Sequence, residues 1–178
     1  MSYDISLVEP TTKKTITVDF KHQMKGGTYC VGGTDELYLN ITCNYCPYFF
    51  DATENDERFY KGDKNQGLRA IYGKTGAETI PMLTDMAERI RKKYQNEDGT
   101  WKKTKRKETL FLDENGCEIE VYFAIRDHKK YSTKEVEVAI DEGDDTDYWK
   151  ATAVNAMKPI YQLIVMAQMR PDGIWDGD

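Results

Sequence analysis

Ile5 and Leu7 alternate with polar neighbours near the start of the chain, and Ile16, Val18 and Phe20 alternate again after Glu9-Pro10-Thr11-Thr12-Lys13. Period-two alternation sends successive side chains to opposite faces of a strand, so the two runs predict an N-terminal β-hairpin closed by that turn. Two glycine pairs, Gly26-Gly27 and Gly32-Gly33, bracket Thr28-Tyr29-Cys30-Val31 and predict tight turns, since glycine takes positive φ without steric cost. The next segment opens strand-like at Glu36-Leu37-Tyr38-Leu39 and then loses a definite period. Residues 51–67 are polar and rich in turn formers, and they predict mostly loop.

The period then changes to that of a helix. Thr75-Gly76-Ala77-Glu78 has the spacing of a capping box, and Ile80, Leu83, Met86, Ala87, Ile90 and Tyr94 follow on one stripe. Pro81 falls early enough for its missing donor to cost little. Arg89, Arg91, Lys92 and Lys93 suit a helix C-terminus, and Asn96-Glu97-Asp98-Gly99 ends the helix, giving bounds of about 75–95. A second helix, about 155–169, carries Ala156, Met157, Ile160, Tyr161, Ile164, Val165 and Met169. Pro159 places its start near Asn155 as N-cap, and Pro171-Asp172-Gly173 ends it. Trp175 in the following tail is expected to dock onto the body.

Between the helices the period returns to two. Leu110 and Leu112 lead into Asp113-Glu114-Asn115-Gly116, a strong hairpin signal, and Ile119, Val121, Phe123 and Ile125 alternate with Glu118, Glu120, Tyr122 and Ala124. After a polar turn from Arg126 to Lys130, Val136, Val138 and Ile140 alternate again. Residues 108–140 therefore predict a three-stranded antiparallel meander with one polar face. The fold class expected is α+β: one domain over 1–178, with a β-meander subdomain over about 96–145.

Composition narrows the function classes. A chain of 178 residues with 39% apolar and 31% charged residues is a globular domain with a real core. No apolar stretch is long enough to span a bilayer, and the start lacks the basic and apolar regions of a secretory signal. Four cysteines in that context predict reduced thiols in a cytosol. A net charge of −6 argues against general nucleic-acid binding, whose affinity comes largely from phosphate neutralisation. The charge is segregated, however. Lys102, Lys103, Lys105, Arg106 and Lys107 make a basic run, and Asp141, Glu142, Asp144, Asp145 and Asp147 an acidic one. Both read as solvated connectors flanking strands, or as surfaces that face a charged partner.

Candidate chemistry is sparse. Cys43-Asn44-Tyr45-Cys46 has Cys-x-x-Cys spacing, but zinc needs four converging ligands, and Cys30, Cys117, His22 and His128 are isolated in sequence. Buried structural thiols are the simplest reading, with a metal or redox dithiol as alternatives. Gly73-Lys74-Thr75 opens a helix, yet Leu68 stands where a phosphate-binding loop needs glycine, so the segment reads as a helix cap or an anion site assisted by Lys74 and Arg69. Only His22 with Cys30 or Cys43 could supply a nucleophile and base, and 141–145 lacks the spacing of a calcium loop. No catalytic residue, metal or cofactor is therefore assigned. The richest stretch is Leu39 to Phe50, where Asn40, Thr42, Asn44, Tyr45 and Tyr48 stand among apolar residues. Buried, such groups need partners from the fold or from a ligand. With Arg69, Tyr72 and Lys74 they make the candidate ligand- or partner-binding set, and the two charged runs make the candidate partner surface.

Several pieces carry a resemblance: Tyr3-Asp4-Ile5 with Pro10, Gly26-Gly27-Thr28-Tyr29, Asn40-Ile41-Thr42 with Asn44-Tyr45, Gly73-Lys74-Thr75-Gly76-Ala77-Glu78, Tyr148-Trp149-Lys150-Ala151-Thr152, and Met169-Arg170-Pro171-Asp172-Gly173-Ile174-Trp175. Over about half of its length the chain resembles a family of small bacteriophage and prophage proteins of gut-type bacteria. That family has no assigned catalytic residues, and its shorter members lack about 96–145, so the resemblance implies that the β-meander subdomain is an insertion. The resemblance implies an accessory protein in a host cytosol, some relatives of which inhibit bacterial immunity by binding an effector or sequestering a signal. The expectation is a non-enzymatic inhibitor of a CRISPR-type effector that binds a host protein and no membrane. The alternative is a small-ligand or nucleotide-signal sequestering protein, and the third reading an enzyme of unfamiliar type.

Overall fold

A computed structural model describes residues 2–22, 34–119 and 131–178 of the chain. The two glycine pairs, the strand expected beyond Ile119 and its following turn, Cys30 and His128 lie outside the described residues. The chain divides into two compact units, one formed by 1–102 and 142–178 and the other by 103–141.

The larger unit is built on β1 (Ser2–Val8), which lies between β10 (Ile174–Gly177) and β4 (Tyr38–Thr42), antiparallel to both. Alternation along β1 sends Tyr3, Ile5 and Leu7 inward with Leu39, Ile41 and Trp175, while Ser2, Asp4 and Ser6 face out. The turn expected at 9–13 is present, with Glu9 N–H donating to Lys14 O and Lys13 N–H to Glu9 O. The hairpin it closes is a single bridge, Val8 to Thr15, and β2 (Thr17–His22) pairs instead with β3 (Thr34–Glu36). The distant β4 and β10 take the ladder positions on β1, because they complete the apolar face that a two-stranded hairpin leaves half covered.

Residues 51–67 hold more structure than loop. Helix α1 (Cys46–Ala52) ends inside them, a 3₁₀ turn follows at Glu57–Phe59, and β5 (Tyr60–Lys61) turns back on β6 (Lys64–Asn65). These elements are too short to leave a period in the sequence. Phe59, Leu68 and Ile71 are all fully buried within this stretch and the next turn.

Helix α2 (Gly76–Tyr94) matches its expected bounds, with the Thr75–Glu78 capping box formed at both bonds. It packs along α3 (Ala153–Met169), and Leu83, Met86 and Ile90 meet Ile160, Leu163 and Met166 in one core. Gly76 has a packing reason: a Cβ there would stand 2.7 Å from the Arg170 carbonyl and 3.1 Å from that of Ala167. The start of α3 differs from expectation. Thr152 is the N-cap, while Asn155 lies inside the first turn, fully buried. Its amide donates to the carbonyls of Asp147 at 2.9 Å and Lys150 at 3.2 Å, so it ties the preceding loop to the helix instead of capping it. Pro159 consequently falls in the second turn, where it is buried.

The smaller unit has its strands in the order β8 (Glu118–Ile119), β7 (Lys103–Leu112), β9 (Ser132–Asp141). The third strand thus returns to the first across a ten-pair antiparallel ladder from Lys103–Asp141 to Leu112–Ser132. The basic run 103–107, read as a connector, is the first half of β7. Alternate residues of a strand face opposite ways, so a run of cations does not prevent a strand when only every second one must share a face.

Candidate functional site

The polar stretch of β4 and α1 finds its partners inside the protein. Asn40 donates to Asp4 Oδ1 at 2.6 Å and Ser2 Oγ at 3.0 Å, across the β1–β4 ladder. Tyr38 also donates to Asp4, and Asn40 first, then Tyr38, hold the Asp4 carboxyl below its ordinary range. Thr42 accepts from Asn44 N–H and caps the 3₁₀ turn Cys43–Tyr45 that leads into α1. The next three groups reach one loop. Asn44 donates to Trp149 O at 2.8 Å, Tyr45 to Tyr148 O, and Tyr48 to Ala151 O at 2.7 Å. Burial pushes the Tyr45 phenol up to about 12, with Tyr148 and Asp147 adding to it. These side chains bind the 148–151 loop over α1, which is the arrangement expected when a buried polar group must be satisfied by the fold.

Arg69, Tyr72 and Lys74 lie at the C-terminal strand. Arg69 stacks its guanidinium 4.7 Å from the Tyr3 ring centre and donates to Asp178 O at 2.9 Å. Tyr72 packs on the strand where a Cβ at Gly177 would come within 2.6 Å of its ring, and burial pushes its phenol up to about 12. The Lys74 carbonyl accepts from Trp175 N–H. The N–H groups at the start of α2 are all engaged: Thr75 by Glu78, Gly76 by Gly173 O, Ala77 by Pro171 O, and Glu78 by Thr75. The backbone N–H groups on which an anion at this helix start would rely are therefore already taken, two of them by carbonyls of the C-terminal segment and two within the capping box.

The charged residues fall in both units. In the larger one, Lys102 donates to Lys93 O, Asp145 pairs with Lys158 at 3.2 Å, and Asp144 accepts from Thr146 and Lys150. Lys150 first, then Thr146, holds the Asp144 carboxyl well below the usual range. Glu142 is not a surface acid. It is 2% exposed, accepting from Tyr48 at 2.8 Å and from Ala153 N–H at 2.9 Å at the first turn of α3. Glu142 is thus a buried member of the acidic run that sequence reads as solvated, and at the adjacent Gly143 a Cβ would strike the Trp101 ring at 2.7 Å.

In the smaller unit, the exposed face of the β7–β9 ribbon is striped. Lys103, Lys105 and Lys107 stand in one row, and opposite them stand Asp141, Ala139 and Glu137, with Glu135 next. Lys105 reaches Glu137 at 3.0 Å. Arg106 is on the other face, paired with Glu108 at 2.8 Å and set among Val136, Val138 and Ile140.

One constellation escapes sequence reasoning. Asp56, nearly buried, accepts from Arg58 at 2.6 Å and Arg89 at 2.7 Å, and Arg58 also reaches Asp85 at 2.6 Å. Asp56 and Arg58 are two apart in a turn while Arg89 comes from α2, so no spacing announces the group. Beside it, Asp51, Ala52, Glu54, Asn55, Arg89 and Lys93 line an open depression of about 310 Å³. Lys93 pairs with Asp51, and Arg89 donates to Ala52 O as well as Asp56. Ligand pockets of that size are mostly apolar with a few convergent polar groups, and this one is walled by paired charges.

Among the described residues no three His, Cys, Asp or Glu side chains converge as a metal site would require, and no helix is long and apolar enough to cross a membrane. No protein-family model, curated protein or solved structure matches the chain. The class defined by the fold is an α+β protein, with small antiparallel sheets and three α-helices among the described residues.

Proposed function

We propose that this chain is a non-enzymatic binding protein that acts by contact with another protein. In the setting implied by the phage-family resemblance, its target is a bacterial immune effector of the CRISPR type. The observation that supports this reading is the striped face of the β7–β9 ribbon, where a row of lysines runs beside Asp141, Glu137 and Glu135 on an exposed surface. Charges set out in rows orient an encounter and reject wrong partners more than they add raw affinity. The amide and phenol groups of 40–48 weigh against a small-ligand role, since they hold the protein's own loop.

The test is capture of candidate effector complexes by the tagged full chain, alongside Lys103→Glu/Lys105→Glu/Lys107→Glu. Co-purification and inhibition by the parent protein, both lost in the triple variant, is the result expected. Equal capture by the reversed row sinks the ribbon as the contact. A melting temperature raised by nucleotides, with no protein captured, moves the function to the small-ligand reading.

A further inference from the structure

We infer that Cys43 and Cys46 form a dithiol that is oxidised reversibly to an intrachain disulfide by exchange with a low-molecular-weight disulfide. The two residues straddle the joint between the 3₁₀ turn and α1, and the Cys46 N–H donates to the Cys43 carbonyl. A helical bond across three residues puts both side chains on one face, at a Cβ separation of roughly 5–6 Å, a little above the roughly 3.5–4.5 Å that a disulfide takes. Both thiols are free and half-exposed, so a small oxidant can reach them, and Thr42 as cap with Pro47 in the first turn of α1 fixes the backbone beneath them.

Two neighbours bear on the chemistry. The Tyr3 hydroxyl lies 3.0 Å from Cys46 Sγ, and Arg69 stacks on the Tyr3 ring. A phenol at that distance donates to the sulfur whenever it carries negative charge, as attacking or leaving group. Burial, then the neighbouring Cys46, pushes the Cys43 thiol up, so reduced Cys43 lacks the thiolate stabilisation that makes some dithiols strong oxidants. That condition favours the disulfide at equilibrium. One cysteine thiolate attacks a sulfur of the oxidant, forming a mixed disulfide and expelling one small thiolate. The second cysteine attacks the mixed disulfide, closing the Cys43–Cys46 bond and expelling the other. Two cysteine thiols are oxidised, one external disulfide is reduced, and the two thiol protons end on the two small thiols.

The experiment uses the full chain with Cys30→Ser/Cys117→Ser, equilibrated in mixtures of reduced and oxidised glutathione, then acid-trapped, alkylated and mapped by mass spectrometry. Cys43 and Cys46 are expected to lose alkylation together, in one two-electron transition, with a bridged 43–46 peptide. Adding Cys43→Ser should convert the product to a glutathione adduct at Cys46. Persistent adducts on the unaltered pair, or full alkylation of both thiols at the most oxidising ratio, would overturn the inference, as would failure of Cys46 to form its adduct when alone.

Discussion

Glu142→Ala tests whether the buried carboxylate locks α3 to α1. In the folded chain Glu142 Oε2 accepts from Ala153 N–H at 2.9 Å and Tyr48 at 2.8 Å, and Tyr48 has a second acceptor in Ala151 O at 2.7 Å. Truncation leaves the tyrosine satisfied and orphans the buried Ala153 N–H, at a cost of about 1–3 kcal/mol. Loss of the buried methylene adds about 0.8 kcal/mol. Relief of the desolvated charge offsets part of this, so the expected destabilisation is about 2–3 kcal/mol. Glu142→Gln keeps an acceptor of the same shape and should lose only about 1 kcal/mol, because a neutral hydrogen bond is about half as strong as a charge-assisted one. Tyr48→Phe combined with Glu142→Ala should cost less than the sum of the two, by about 1 kcal/mol, since the groups share a bond. Urea unfolding of the four variants, Glu142→Ala, Glu142→Gln, Tyr48→Phe and the double, at constant m measures all of this. Alanine and glutamine variants equal within error, with Tyr48→Phe strictly additive, would refute the lock.

Trp175→Phe keeps an aromatic ring, though a smaller one, and removes the indole N–H that donates to buried Thr79 at 2.7 Å, so stability should fall by about 1–2 kcal/mol, and with Trp175→Ala by about 3–5 kcal/mol. Calorimetry that places the alanine variant no lower than the phenylalanine one contradicts docking of the C-terminal strand. Thr75→Ala removes one half of the capping box and should cost about 1 kcal/mol, read by thermal melting, with Glu78→Ala additive only in part. Arg58 chiefly, with Arg89, holds the Asp56 carboxyl well below the usual range against a desolvation that raises it. A carboxylate depressed on folding stabilises above its unfolded pKa, about 3.9, and that stability drains away as pH falls from about 5 through that value toward the folded one. Between pH 5 and pH 3 Asp56→Asn should therefore lose less stability than the parent, and equal losses would exclude Asp56 as a contributor.

The sequence by itself determined the elements long enough to show a period and a cap. Thr75–Glu78 and the stripe to Tyr94 specify α2 almost to the residue, since both signals are local. Alternation marked β1 and much of β9, and the apolar run after Pro159 marked most of α3. Partners were another matter, because side-chain alternation says which face is buried and not which strand lies alongside. Hence β1 exchanges an adjacent hairpin partner for β4 and β10, and β9 returns to β7. The same limit governs the candidate sites. Composition placed polar groups at 40–48, yet only the fold brings the 148–151 carbonyls against Asn44, Tyr45 and Tyr48. It buries Glu142 under α3 while Asp144 and Asp145 stay in the loop, and it lifts Asn155 from a cap to a buried clasp. Burial of a polar group depends on acceptors that arrive from about a hundred residues away, and no local pattern encodes their arrival.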